Sequence, residues 1–337
     1  RGINPVAYTA AGAGDNGAFK TDTLADMKPL LLAITFISEA HRARIAEHFD
    51  LLYVPAAQDR PAILAERGQE VRLVLTVGPV GLTAQEMDAM PRLELVCALG
   101  AGYENIDVAH ARTRGITVAN GAGTNEDSVA DHAIGLLLAA VRAIPVNDKA
   151  CRAGVWRTAL PLPGQVAHGR LGILGMGAIG MKIARRALGF DMAVGYHNRS
   201  PRDGVPYAYF DSALALATWA DFLVVAAPGG PQTRHLVGVE VMTALGPGGF
   251  LVNIGRGSTV DTAALAAALR EGRIAGAGLD VYESEPEPPR ELLDFSQVVL
   301  APHVGGWSPQ ALDASLQRFI DNALGHCAGR GVVSPVA

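Results

Sequence analysis

Residues 171–180 read LGILGMGAIG, and this stretch decides the fold. An apolar run that favours a β-strand leads into a G-x-G-x-x-G turn, and apolar residues at helical spacing follow. In this context the first glycine permits a tight turn, the second lets backbone N–H groups approach a pyrophosphate, and the third lets the helix pack closely on the strand. The helix then presents its positive N-terminal end to the phosphates. The turn predicts a dinucleotide site formed by Gly175, Met176, Gly177, Ala178, Ile179 and Gly180.

Short apolar runs alternate with amphipathic segments on both sides of this motif. Continuous Val, Leu and Ile strands separated by helices indicate parallel sheets that are buried on both faces. A length of 337 residues suggests two domains. The sequence therefore predicts two doubly wound α/β domains. The predicted strands are Leu30–Phe36, Leu51–Val54, Val71–Val77, Leu93–Ala98, Leu171–Leu174, Ala193–Tyr196, Phe222–Ala226, Phe250–Ile254, Ala277–Leu279 and Val298–Leu300.

The segment after Asn120 changes in character. Glycines break the chain there, and Thr124 with Asp127 three residues later predicts a capped helix that runs to about Arg142. We place the crossing between the two domains just before this helix. Residues 1–26 show little periodicity and are expected to be a mobile N-terminal extension or a start-site artefact.

Composition excludes several classes of protein. The net charge is −5 with no basic run, which argues against nucleic acid or an anionic membrane as the main partner. No apolar segment reaches the roughly 20 residues that a membrane-spanning helix needs. The three cysteines are widely spaced, which favours neither a disulfide framework nor a zinc site and fits a reducing cytosol. We therefore expect a cytoplasmic protein without a metal centre.

The strand after the glycine-rich turn ends in a segment that bears on the choice of cofactor. An NAD site usually carries an acid there for the ribose 2′-hydroxyl, but the positions hold His197 and Asn198. Arg199 and Ser200 supply donors for a 2′-phosphate, with Arg202 assisting. The alternative is that Arg199 is a solvated surface arginine. The segment predicts NADP(H) as the cofactor, with NAD(H) as the alternative.

Three later loops follow predicted strands and carry an arginine, an acid and a histidine. Arg256 is able to bind a carboxylate with its fork and to polarise a keto oxygen. His303 is able to donate the proton which that oxygen needs, and a neighbouring Glu285 would raise the histidine pKa. Taken singly, each residue also has a structural interpretation. Together, downstream of a dinucleotide turn, they favour reduction of a 2-keto acid.

From Met27 to about Asn322 the chain resembles the D-isomer-specific 2-hydroxyacid dehydrogenases. The resemblance depends on the glycine-rich turn and on Asn253–Ser258, Gly278–Pro286 and Pro302–Gly306. It implies Arg256, Glu285 and His303 as the catalytic set. It also implies that backbone N–H groups of Leu99, Gly100, Ala101 and Gly102 hold the substrate carboxylate, for which the alternative is an ordinary β–α turn. It adds to the cofactor site Ala227, Pro228, Thr233, Ile254, Gly255, Arg256, Asp280, His303 and Gly305.

The resemblance also implies an architecture. A Rossmann cofactor domain of residues 120–306 is inserted into a flavodoxin-like substrate domain formed by residues 27–119 and 307–337. Family members are usually dimers with their cofactor domains in contact. The helix from Thr124 and the loop around Trp156 are the expected contact region of a homodimer.

Within the family, the Tyr196–Ser200 segment and the chain length are most similar to NADPH-dependent glyoxylate/hydroxypyruvate reductases. The expected reaction is reduction of such a small 2-keto acid to the D-2-hydroxy acid. One alternative is the same chemistry on a larger acid of phenylpyruvate or sugar type. Another is a nicotinamide-sensing binding protein without turnover. Trp307 departs from the pattern, and the sequence assigns it no role.

Overall fold

The computed structural model describes residues 28–336 and contains two parallel sheets, of five and seven strands. The expectation for residues 1–26 lies outside this range. The first sheet has the order β2-β1-β3-β4-β5, which is the doubly wound order of flavodoxin-like folds. Its elements are β1 Leu30–Ala33, α1 Glu39–Ala46, β2 Asp50–Tyr53, α2 Arg60–Arg67, β3 Leu73–Thr76, α3 Ala84–Asp88, β4 Leu95–Ala98, α4 Val108–Thr113 and β5 Thr117–Ala119.

The second sheet has the order β12-β11-β10-β9-β6-β7-β8. Counted from β6, this is the Rossmann order 3-2-1-4-5-6 with one further strand at the edge. Its elements are α5 Glu126–Val141, α6 Ile144–Arg152, β6 Arg170–Leu174, α7 Ala178–Leu188, β7 Ala193–His197, β8 Ala208–Tyr209, α8 Ala213–Trp219, β9 Phe222–Val225, α9 Val239–Leu245, β10 Phe250–Asn253, α10 Thr262–Arg270, β11 Gly276–Leu279 and β12 Val298–Leu300.

The last helix, α11 Pro309–Cys327, returns to the first sheet. Its residues Leu316, Phe319 and Ile320 belong to the same buried cluster as Leu31 and Leu73 of the first sheet. Helix α5, in contrast, packs its apolar face against the second sheet. The predicted fold class is thus confirmed, with a Rossmann unit set between two parts of a flavodoxin-like unit. The exact domain limits, at 119/120 and 306/307, stay a prediction.

One local prediction is wrong. Helix α5 begins at Glu126 after Asn125, and Thr124 does not cap it. The Thr124 hydroxyl instead donates to the Gly121 carbonyl (2.7 Å) and lies 2.7 Å from the Ser315 hydroxyl of α11. The Thr124 hydroxyl is therefore engaged with Gly121 and with Ser315 of α11, and is not available to cap α5.

No single helix within residues 28–336 is both long and apolar enough to cross a membrane. Helices α5 and α6 together have the length and composition, but they are bent by 58° where they meet. In the same range, no group of three or more His, Cys, Asp or Glu side chains is placed to hold a metal ion.

Candidate active site

The glycine-rich turn joins β6 to α7 and has the shape that a dinucleotide needs. Gly175 has φ +101, and a Cβ there would lie 2.7 Å from the backbone nitrogen of Ala227. A Cβ on Gly180 would collide with the Gly175 carbonyl, so this glycine lets helix and turn meet. Around Gly177, in contrast, a Cβ would meet only open space. The free space therefore lies in front of the N-terminus of α7, where a pyrophosphate would be favoured by the backbone N–H groups.

The segment after β7 is tied to this turn. The Asn198 side chain accepts a hydrogen bond from the Met176 N–H (2.7 Å), and Arg202 donates to the Met176 carbonyl (2.5 Å). His197 donates through Nδ1 to the carbonyl of Phe210 (2.9 Å), away from the turn. The structure thus uses Asn198 and Arg202 to shape the backbone of the turn.

Arg199 and Ser200 stay exposed beside the same turn. Arg199 Nη1 donates to the side-chain oxygen of Gln232 at 3.1 Å. Gln232 lies in the loop after β9 that also contains the predicted cofactor residues Pro228 and Thr233. The Arg199 guanidinium therefore lies between the turn and this loop, with donors left for an anion.

The loop after β4 has an unusual backbone. The carbonyls of Gly100 and Ala101 accept hydrogen bonds from Gly121 N–H (2.9 Å) and from the Asn120 side chain (2.7 Å). Within residues 28–336, however, the N–H groups of Gly100, Ala101 and Gly102 donate to no protein acceptor. Consecutive unused N–H groups form a concave site that suits an anion.

Arg256 follows β10 and reaches across the cleft between the two sheets. The loop that holds it is tightly packed, because a Cβ on Gly255 would lie 2.5 Å from the Ala227 carbonyl. Its Nε donates to Oε1 of Glu104 at 2.9 Å, and its Nη2 lies 3.4 Å from Oε2. The guanidinium thus lies against the loop that ends at Gly102.

His303 and Glu285 form the second half of the site. The His303 Nδ1 donates to Oε2 of Glu285 at 2.8 Å. Among the residues that the structure describes, Nε2 has no hydrogen-bond partner and is able to face a ligand. The hydrogen bond to Glu285 raises the pKa of His303 against the opposing effects of burial and of the nearby Arg256 charge. His303 also has φ +54, a backbone conformation that residues other than glycine rarely adopt and that recurs at functional sites.

Asp280 fixes the chain around His303. Its buried carboxylate accepts hydrogen bonds from the N–H groups of Val304 and Gly305, each at 2.8 Å, and its carbonyl accepts from His303 N–H. The side chain of His132 on α5 adds a third hydrogen bond to the carboxylate, at 3.1 Å. Burial opposes ionisation of Asp280, but these three hydrogen bonds outweigh it and lower its pKa.

The structure brings most of the predicted residues to one cleft, along the carboxyl ends of β4, β6, β10 and β11. His197 is one exception, because its ring is engaged with Phe210. Leu99 is another, because its N–H donates to the Thr76 carbonyl at 2.9 Å and is therefore not available to a substrate carboxylate. Two contributors were missed by sequence reasoning, namely Glu104 and His132. An acid two residues after a glycine-rich anion loop was a signal for Glu104. His132 lies within the mostly apolar helix α5, and its position in the sequence offered no comparable signal.

Comparison with known proteins identifies the family of the chain. The family model for the D-isomer specific 2-hydroxyacid dehydrogenase, NAD binding domain, matches residues 134–305. The chain is 40% identical to hydroxyphenylpyruvate reductase of Plectranthus scutellarioides, covering 84% of this chain and 90% of that protein. It is 36% identical to 2-ketogluconate reductase of Gluconobacter oxydans, covering 92% and 99%.

A solved structure gives the same result. It is that of the NADPH-dependent glyoxylate/hydroxypyruvate reductase of Sinorhizobium meliloti in complex with NADP and malonate. The TM-score is 0.86 and the identity 38%, over 92% of this chain and 97% of that one. The similarity therefore extends over both sheets and not only over the dinucleotide turn.

Proposed function

The chain belongs to the D-isomer-specific 2-hydroxyacid dehydrogenase family, and from this membership we propose that it reduces a small 2-keto acid with NADPH. The substrates proposed are glyoxylate and hydroxypyruvate, and the product is the D-2-hydroxy acid. The observation that carries the proposal is the hydrogen-bonded Glu285–His303 pair, which lies close enough to Arg256 for their charges to interact.

His303 is the proton donor in this proposal. Glu285 holds the ring through Nδ1 and favours its protonated form, so Nε2–H faces the keto oxygen. As the keto carbon is reduced, its oxygen gains negative charge and takes the proton from Nε2. The Glu285 carboxylate stabilises the imidazolium before this transfer and orients the ring throughout.

Arg256 and the loop after β4 bind the substrate. The unused N–H groups of Gly100, Ala101 and Gly102 are proposed to hold one end of the carboxylate. The guanidinium of Arg256 binds the carboxylate and polarises the keto oxygen, because it lies directly against this loop. The two elements come from different domains, so the substrate would be held from both sides of the cleft.

The turn of residues 175–180 fits a dinucleotide. The open space at Gly177 leaves room for a pyrophosphate, and the N–H groups at the start of α7 face that space. The reduced nicotinamide supplies the hydride when it is bound, and the protein supplies position and charge. Loops at Ala227–Thr233 and Ile254–Gly255 border the same edge of the sheet and are proposed to line the cofactor.

Arg199 supports the preference for NADPH. No acid follows β7 before Asp203, and the exposed Arg199 guanidinium lies beside the turn. We predict that Arg199→Gln weakens NADPH binding at least tenfold while NADH binding changes little, because only NADPH carries the 2′-phosphate. Fluorescence titration with both cofactors measures this. Arg185→Gln, on the same domain, is the control, and equal loss for both cofactors would contradict the assignment.

Loss of reduced-nicotinamide absorbance tests the proposed reaction. The protein is mixed with glyoxylate or hydroxypyruvate, with NADPH and NADH in parallel. Turnover with NADPH preferred supports the whole proposal, whereas NADH preference would overturn only the role of Arg199. Cofactor binding without turnover on any 2-keto acid would favour a nicotinamide-sensing protein.

A larger substrate is the second candidate. The relative at 40% identity is named for hydroxyphenylpyruvate. Exposed apolar side chains follow three adjacent strands of the first sheet on the side of the substrate loop: Phe36 after β1, Val80 after β3 and Tyr103 after β4. An apolar rim of this kind suits an aromatic acid. A higher kcat/KM for hydroxyphenylpyruvate than for hydroxypyruvate would replace the first candidate with this one.

The protein is proposed to act as a homodimer through its cofactor domain. Apolar side chains are exposed on and after α6, namely Ile144, Val155, Trp156 and Leu162. Leu162 is 98% exposed and Trp156 70%. Large apolar side chains left exposed along one segment are commonly part of a protein–protein contact.

A further inference from the structure

Glu104 pairs with the arginine that the proposed reaction needs. We infer that Glu104 is a built-in competitor of the substrate, which occupies Arg256 in the empty cleft and so sets the affinity for the 2-keto acid. The inference rests on the proposed function, because it takes Arg256 as the group that binds the substrate carboxylate.

The pairing has the geometry of a bound carboxylate. Glu104 offers its two oxygens to Nε and Nη2 of Arg256, at 2.9 and 3.4 Å, which is the side edge that a carboxylate takes in a forked contact. The third guanidinium nitrogen, Nη1, donates to the carbonyl of Gly255 at 2.7 Å. The edge best suited to a substrate carboxylate is therefore already taken by a carboxylate of the chain itself.

Two glycines leave the space that the Glu104 carboxylate occupies. A Cβ on Gly78, after β3, would lie 2.6 Å from Oε2 of Glu104, and a Cβ on Gly102 would lie at the same distance. Any larger residue at either position would push the carboxylate out. Two glycines on two neighbouring loops thus make the room in which Glu104 meets Arg256.

A 2-keto acid and Glu104 cannot use the same edge at once. Two carboxylates on one guanidinium edge would also repel each other, whereas a single carboxylate neutralises the charge of the guanidinium. Glu104 is 36% exposed and is therefore able to turn towards water when the substrate arrives. The apparent dissociation constant for the acid is then the intrinsic one divided by the fraction of molecules in which Arg256 is unpaired.

Binding of oxamate, an unreactive analogue of a 2-keto acid, tests the inference. Isothermal titration of the protein saturated with NADPH gives the dissociation constant without turnover. We expect Glu104→Gln to bind oxamate about twofold to fivefold more tightly, the range expected for loss of a partly exposed ion pair. In steady-state assays KM for the keto acid should fall by a similar factor while kcat is retained.

The controls separate the charge from the contact. Glu66→Gln removes the same charge from the exposed face of α2 and should leave oxamate binding unchanged. Arg256→Ala should abolish the gain that Glu104→Gln produces, because the gain acts through that guanidinium. Glu104→Asp keeps the charge on a shorter side chain and should give an intermediate affinity.

Two results would overturn the inference in different ways. Unchanged or weaker oxamate binding in Glu104→Gln, with normal binding by the wild type, would mean that Glu104 does not compete with the substrate. If kcat also fell in this variant, Glu104 would instead hold Arg256 in the position needed for catalysis. Failure of the wild-type protein to bind oxamate would overturn the proposed function, and this inference with it.

Discussion

His303 is the residue on which the proposed chemistry depends most directly. Replacing it with alanine removes the proton donor but leaves the dinucleotide turn, more than a hundred residues away in the chain, intact. We expect kcat for His303→Ala to fall by about 10²–10⁴. Cofactor binding should stay close to wild type by fluorescence titration. A parallel loss of NADPH binding would show that His303 holds the cofactor and would contradict its assignment as acid.

Glu285 sets the pH range over which His303 is protonated. Reduction needs the imidazolium, so the rate falls as the pH rises through the His303 pKa. Because Glu285 raises that pKa, Glu285→Gln should move the fall in kcat/KM to lower pH. A pH–rate profile measures the shift, and Glu287→Gln, an exposed acid of the same loop, is the control. If the high-pH fall in kcat/KM did not move, a group other than His303 would be responsible for it.

A site residue can be predicted from the sequence when its own strand places it, but not when its role depends on a partner in the other domain. Arg256, Glu285 and His303 were found because each follows a strand, and parallel strands bring their carboxyl ends to one edge. Glu104 was not found, because its partner lies 152 positions away and in the other sheet's loops. Only the approach of the two domains creates that pair.

At the element scale, the two glycines at the start of α7 separate binding from stability. Gly177→Ala places a methyl in the open space proposed for the pyrophosphate, so it should weaken NADPH binding while changing the free energy of unfolding by less than about 1 kcal/mol. Gly180→Ala places a methyl against the Gly175 carbonyl and should destabilise the protein by about 1–3 kcal/mol. Thermal unfolding without cofactor and NADPH titration distinguish them. The reverse pattern would mean that the phosphates lie elsewhere.

Element boundaries show what hydrophobic patterns report. The predicted strands Leu30–Phe36 and Phe250–Ile254 run past the observed β1 and β10, although Ile34 and Ile254 are buried as expected. Apolar character reports burial, and burial continues past the last residue of each strand. The two-residue strand β8 was not predicted, since so short a segment has no period to detect.

At the scale of the whole molecule, the exposed side chains after α6 test the proposed dimer. Trp156→Ser combined with Leu162→Ser should convert a dimer into a monomer in sedimentation velocity, because the pair removes the largest exposed apolar groups of that loop. Leu293→Ser, at a leucine that is 54% exposed elsewhere on the same domain, is the control. A dimer that survives the double change would place the contact on another face.

The two segments that cross between the sheets lie side by side. Ser128 Oγ donates to the carbonyl of Gly305 at 2.7 Å, and a Cβ on Gly306 would lie 2.9 Å from the side chain of Asn125. Two neighbouring connections restrict the two domains to rotation about one hinge axis. A single connection would also allow one domain to twist against the other. We therefore expect any opening of the cleft to be a rotation about this one hinge, which would carry Arg256 along a single path relative to Glu104.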